Sequence, residues 1–218
     1  MQEYCKKNKI EHRVVTQYHS PRASFTSYLY SMLKVLHSTL EIKQSDIMES
    51  LDELENIKKK ICSSNLTDDN LSLNLAEWIS GITMIYYPFG LQSTAIRFKN
   101  SLQENAKTHV FAEDVIEACH NGIVSWEKQS NLKPILLQGA DDYIKTKERW
   151  KVLKEYFEIN NIDFREVFSI KGSILSKLIT LVYFFDYTSL YLAALSKVDP
   201  SPVSSIDFIK QRIKQTVN

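Results

Sequence analysis

Glu104 and His120 stand sixteen residues apart in the stretch QENAKTHVFAEDVIEACHNG (103–122), which separates two segments that read as buried parts of an α/β sheet. A carboxylate and an imidazole are side chains suited to moving protons near neutral pH, so the two are a candidate acid and base. Two further places carry candidate chemistry. The prolines of VDPSPV (198–203) exclude helix and hold Ser201 with its hydroxyl presented. Lys210 follows Ile206 and Ile209 in the closing helical segment. Each residue also has a plainer reading. Glu104 can be a solvated carboxylate paired with Lys107, three residues on. His120, just past a short helix and ahead of the turn dipeptide Asn121-Gly122, can simply cap carbonyls. Ser201 can sit in a stop-and-start loop, and Lys210 can be one more exposed lysine. With a strand between them, Glu104 and His120 need not meet within one subunit. The Asn121-Gly122 turn lets the His120 loop reach outward, even toward a neighbouring chain.

Other chemistries find no motif. With only 5 glycines there is no phosphate-cradling glycine loop, and no GxGxxG, Walker, HExxH, CxxC or GxSxG pattern occurs. No metal or cofactor is expected. Lysine plus arginine number 27 against 26 acidic residues, too even a balance for non-specific nucleic-acid binding. Cys5, Cys62 and Cys119 are odd in number and widely spaced, which argues against a disulfide framework and for a reducing compartment. The first twenty residues have the charges of no secretory signal, so a cytoplasmic location is expected. The run ILSKLITLVYFFDYTSLYLAAL (174–195) is apolar enough to warrant a membrane check, but Lys177, Asp186 and several hydroxyls interrupt it. A core or interface helix is expected there, and no membrane contact. His19 and His109 read as surface or strand-end residues.

The elements that must position these residues follow from periodicity. RVV (13–15) reads as one short strand, stopped by Pro21. Apolar positions from Phe25 to Leu40 keep helical spacing. Ser45 suits the N-cap of a second helix with a stripe at Ile47, Leu51, Leu54, Ile57 and Ile61. A third helix, 71–80, ends at Gly81, a left-handed cap. Strands are then expected at 82–88, 109–112, 133–139 and 163–170, alternating with helices at 94–107, 141–160 and 173–196 and a last helix after the prolines. Alternation of this kind gives a doubly wound parallel sheet of about four to five strands, covered on both faces. Three parts are expected: a leading piece at 1–21, a helical bridging segment at 22–81, and an α/β domain at 82–218. The lone leading strand has no neighbour to pair with, as though the chain were the tail of something larger.

Four segments together resemble the bifunctional phosphoglucose/phosphomannose isomerases of the sugar-isomerase (SIS) superfamily. SPRASFTSYLYSML (20–33) is similar to that family's Pro-Arg segment entering a helix. AIRFKNSLQENAK (95–107) looks like its Arg-Trp-Lys…Glu-Asn-x-Lys helix, with Phe98 in the tryptophan's place. EACHNGIVSWE (117–127) resembles its Glu-x-Asn-His-Asn-Glu loop, with Cys119 for asparagine and Gly122 for the second glutamate. DYTSLYLAALSKVDPSPVSSIDFIK (186–210) resembles its long closing motif. The resemblance implies a SIS-type sheet and aldose–ketose isomerisation of glucose 6-phosphate, with mannose 6-phosphate a second substrate, in glycolysis and gluconeogenesis. It implies Glu104 as the base, His120 from the other subunit of a homodimer and Lys210 as ring-opening groups, and Arg22 as the cation that steadies the enediolate. Ser201 stands where many members carry a threonine linked to accepting mannose 6-phosphate. The family's first SIS domain, which precedes the Pro-Arg segment and supplies phosphate-binding hydroxyls, is expected to be almost wholly absent here, with 1–21 its remnant and a separately encoded domain a candidate partner. A non-catalytic module that binds a sugar phosphate, or dimerises as a regulatory subunit, is the alternative.

Overall fold

The computed structural model describes every residue except Gln17, His19, Val217 and Asn218. The expectation for His19 therefore lies outside the described residues. The chain divides into two compact units, residues 1–45 and 46–218. In the first, α1 (Gln2–Lys7) and α2 (Phe25–Val35) are joined by irregular chain. The strand expected at 13–15 is not formed, and Val14 is exposed. The predicted end of α2 is too generous as well: the helix stops at Val35, and Leu36 and Leu40 lie exposed beyond it.

Helix α3 (Gln44–Ile61), all but its first two residues in the second unit, starts one residue before the expected cap, so Ser45 is inside its first turn. The α3 stripe is only partly covered: Ile61 is buried and Ile57 packs on the core, while Leu51 is exposed. Helix α4 (Leu71–Trp78) is capped by Asn70, whose side-chain oxygen accepts from the Leu73 amide at 3.0 Å. It ends at Trp78 rather than at Gly81. Gly81 instead takes φ +72° in the turn entering the sheet, a conformation that costs glycine little.

Four parallel strands follow, β1 (Thr83–Tyr87), β2 (Val110–Asp114), β3 (Lys133–Gln138) and β4 (Arg165–Phe168), in the spatial order β2-β1-β3-β4. They alternate with α5 (Gln92–Asn105), the short α6 (Val115–Ala118), α7 (Ile144–Ile159) and α8 (Ile174–Leu195), and α9 (Ser204–Thr216) follows the prolines. The central strands β1 and β3 are buried on both faces, as a sheet covered on both sides requires. Along β1 and β3, Ile85, Tyr87, Ile135 and Leu137 enter a core with α4, α5 and α8. Tyr86 and Leu136 point the other way, into a second core with Trp126 and with Trp150, Leu153 and Phe157 of α7. That period-two split makes three layers, the predicted doubly wound architecture.

Helix α8 is long and apolar enough to cross a membrane by composition, but 56% of its apolar window is buried within the fold. It belongs to the core. Phe185 stacks on Phe98 of α5 with ring centroids 3.9 Å apart, and Ser72 of α4 donates to the Phe184 carbonyl at 2.9 Å.

Candidate active site

Helix α5 carries two faces with different work. Ala95, Phe98, Leu102 and Ala106 are buried, as their spacing predicts. On the neighbouring face Arg97 forms an ion pair with Asp186 of α8 at 2.5 Å, and Ser101 donates to the other oxygen of that carboxylate at 2.8 Å. One turn further on, Asn105 donates to Ser189 at 2.8 Å, and Ser189 donates back to the Asp186 carbonyl. Burial pushes the Asp186 carboxyl upward, opposed by the Arg97 charge and the bonds from Arg97 and Ser101. This ladder fixes the rotation and register of α5 against α8. Helical spacing sets Arg97 and Ser101 on a different face from Ala95, Phe98 and Leu102, and that face meets α8. Polar residues of α5 and α8 read separately gave no sign that they pair.

The ladder sets the position of Glu104, half-buried in the last turn of α5. Lys107 follows with φ +57°, and its ammonium donates to the Glu104 carbonyl oxygen at 2.5 Å and to the Pro202 carbonyl oxygen at 2.8 Å. Lys107 thus ties the helix end to the proline-rich turn, rather than serving only the carboxylate as the plainer reading supposed. Exposed Ser201 sits in that turn, where its amide donates to Asp199 at 2.8 Å. Glu104 and the Ser201 turn, 97 residues apart in the chain, are brought to one place.

His120 is elsewhere. Helix α5 starts beyond the carboxyl end of β1 and finishes just before the amino end of β2, so its 14 residues travel back across the sheet, about 20 Å. His120 follows β2 and α6, whose strand end Asp114 pairs with Tyr87 at the carboxyl edge. Glu104 and His120 therefore lie at opposite edges of the sheet within one chain. His120 is exposed on its loop. Gly122 packs against β2: a Cβ there would come within 2.6 Å of a Glu113 carboxylate oxygen. Glu113 supplies a carboxylate beside the position where the resembled loop carries its second glutamate. Burial first, then Glu117 and Asp114, push the Glu113 carboxyl up. Sequence reasoning missed Glu113, since only the folding of the chain after α6 back onto β2 brings Gly122 to it.

Lys210 is exposed on α9, a helix with no buried residue, whose Phe208, Ile209 and Ile213 also face outward. Arg22 is half-buried in the first unit, ahead of α2. His109 is exposed at the start of β2, as expected. A cavity of about 810 Å³ opens at the amino edge of the sheet, lined by Gly81, Asn131, Lys133, Asn160 and Asp163, and none of the predicted residues lines it. Beside it Asp163 accepts from Trp78, Lys133 and Arg165 at 2.7, 2.9 and 3.1 Å, and both cations lie 5.0 Å from the Trp78 ring centre. These four side chains satisfy one another and read as a structural knot.

The three-layer sheet and this helix arrangement define a SIS-type sugar-isomerase fold. A glucose-6-phosphate isomerase-like protein from Thermus thermophilus superposes with TM-score 0.66 at 18% identity, covering 87% of this chain and 62% of that one. The tagatose-6-phosphate ketose/aldose isomerase from Escherichia coli superposes with TM-score 0.54 at 13% identity, covering 83% and 52%. Residues 68–213 match the bacterial phospho-glucose isomerase C-terminal SIS domain, and the chain belongs to that family. In sequence it is similar to the bifunctional phosphoglucose/phosphomannose isomerase of Caldicellulosiruptor bescii, 26% identical over 226 residues, which cover 99% of this chain and 66% of that protein. The protein of the same description from Aquifex aeolicus is 28% identical over 194 residues, covering 85% and 58%. The chain thus spans less than two thirds of the length of these relatives.

Proposed function

We propose that this chain carries the base-bearing part of an aldose–ketose isomerase that interconverts glucose 6-phosphate, and mannose 6-phosphate, with fructose 6-phosphate. In this reading Glu104 removes the proton from carbon 2 of the opened aldose and returns it to carbon 1. A second proton passes from the oxygen on carbon 2 to the oxygen on carbon 1, which leaves the ketone at carbon 2. Arg22 steadies the negative oxygen of the enediolate between those steps, a preorganised charge where charge develops. His120 of the partner subunit and Lys210 protonate and deprotonate the ring oxygen and hydroxyl during opening. Ser201 contacts the sugar near its epimeric centre. A further SIS domain, on the same polypeptide or another, supplies the phosphate contacts.

The observation that carries this reading is the placement of Glu104 beside the Ser201 turn in a chain of the phospho-glucose isomerase family. The separation of Glu104 from His120 supports the dimeric form of the reading, in which a second copy brings its own His120 to the site. The decisive assay supplies the further SIS domain and follows conversion of fructose 6-phosphate to glucose 6-phosphate. Glu104→Gln should lower the rate by about 10²- to 10⁴-fold, as loss of a general base does. A Glu104→Gln protein as active as the parent would eliminate the proposal.

The same separation also favours a second reading, in which the chain binds a sugar phosphate without converting it. Calorimetry divides the two. An isomerase binds 5-phosphoarabinonate, an enediolate mimic, more tightly than glucose 6-phosphate, and a sensor shows the reverse order.

A further inference from the structure

Among the described residues, four non-glycine positions take left-handed backbone conformations, Lys9, Lys107, Asn161 and Lys197, each just after a helix. Glycine is the common residue at that position, because it bears the conformation without steric cost. Lys107 stands out through its ammonium. Among the described residues it joins the last turn of α5, at the Glu104 carbonyl, to the Pro202 carbonyl 95 residues later in the chain. Carbonyls at a helix end carry partial negative charge, so a cation held there satisfies both the helix and the turn. The Pro202 carbonyl also belongs to a segment whose backbone has few donors to offer: Pro200 and Pro202 carry no amide hydrogen, and the Ser201 amide is occupied by Asp199.

We infer that Lys107 is a positioning residue that sets the distance between Glu104 and Ser201, and so governs discrimination between sugar 6-phosphates epimeric at carbon 2. This rests on the proposed isomerase reading. Glucose and mannose 6-phosphates differ only in the configuration at the carbon whose proton Glu104 removes. A base held rigidly relative to a hydroxyl-bearing turn distinguishes the two hydrogens, and a base that shifts by a fraction of an ångström does so less well. The Arg97–Asp186 ladder holds α5, and Lys107 extends that hold to the turn. Lys107 itself touches carbonyls, not substrate.

Three variants test the inference in the full chain. Lys107→Met keeps the aliphatic stem and removes the ammonium. Lys107→Gly removes the side chain while easing the backbone, so it distinguishes a lost tie from a strained helix end. Lys107→Arg restores a cation. The first readout is amide hydrogen exchange at Ser201 and Val203, with α5 amides as internal control. Met and Gly should speed exchange in the turn by about tenfold, the size expected for losing a bond to a charged group, and leave α5 protected. Arg should return exchange toward the parent. The second readout is the ratio of mannose to glucose 6-phosphate isomerisation with the further SIS domain supplied. Met and Gly should move that ratio several-fold, with a smaller change in KM for fructose 6-phosphate. Unchanged exchange in both variants overturns the tie. Faster exchange with an unmoved ratio overturns the role in discrimination. A parent chain with no isomerase activity contradicts the proposed function, and the discrimination claim falls with it, while the exchange data still decide the tie.

Discussion

Glu113 and Gly122 give a pH prediction at the level of single residues. The Glu113 carboxyl is pushed above the ordinary carboxylate value by burial and by Glu117 and Asp114. A folded-state value raised above the unfolded one means that its contribution is fully present below the unfolded value and fades as pH rises through the folded one. At neutral pH Glu113→Gln should therefore raise the thermal midpoint, and the gain should vanish on acidification into the range where Glu113 is protonated in both states. Calorimetric scans from acid to neutral pH would check it; a gain that grows toward acid pH would refute the sign. Gly122→Ala is a companion. The added Cβ meets the far end of a flexible carboxylate, so Glu113 can swing aside and only a small loss of stability is expected.

The pairing of α5 with α8 belongs to the scale of elements. Arg97 and Asp186 are each less than a third exposed, and Asp186 has two side-chain partners on α5. Replacing Arg97 with Met leaves that carboxylate underpaired in a mostly buried place, which should cost about 1–3 kcal/mol. Urea unfolding would register the loss as a lower midpoint at unchanged slope. The double variant Arg97→Met with Asp186→Leu should recover part of it, because two apolar groups of similar shape leave nothing unpaired. Phe98→Ala removes a ring stacked on Phe185 and should cost about 3–5 kcal/mol. Phe98 was legible as core from the 3.6-residue spacing of its neighbours. The ladder was not, because a polar face of a helix looks the same whether it meets water or another helix.

For the molecule as a whole, acid sensitivity is set by carboxylates shifted in the opposite direction to Glu113. The Lys133 bond, then Trp78 and the nearby cations, hold Asp163 below the ordinary range; the Lys177 bond and charge do so for Asp141, and bonds from Ser173 and Ser176 for Glu49. Lowered folded values contribute stability that is present above the unfolded values and lost as pH falls through the folded ones. The unfolding midpoint should drop as pH falls below about 4, and Asp163→Asn should flatten that drop. At the same scale, α9 exposes Phe208, Ile209 and Ile213 along a helix with no buried residue, beside the Lys210 proposed for ring opening. Light scattering on the full chain should give a dimer, as the use of a second copy's His120 demands. A monomer at every concentration tested would remove that arm of the mechanism.

Periodicity alone placed the four strands and the helices between them, because alternation of two-residue and 3.6-residue patterns is a local property of the chain. It also identified the buried face of α5, while the resemblance to the family rested on four motif segments rather than on spacing. It misjudged 13–15, where β-branched residues had no ladder to join, and the ends of α2 and α4, where caps rather than apolar content decide. Only the folded chain decided which edge of the sheet each candidate reached. Parallel strands force every connecting helix to run back across the sheet, so Glu104 at the end of α5 and His120 after β2 finish on opposite sides although sixteen residues separate them. By the same geometry Lys107 meets Pro202 across 95 residues, a contact that sequence distance hides and the packing of α5 against α8 creates.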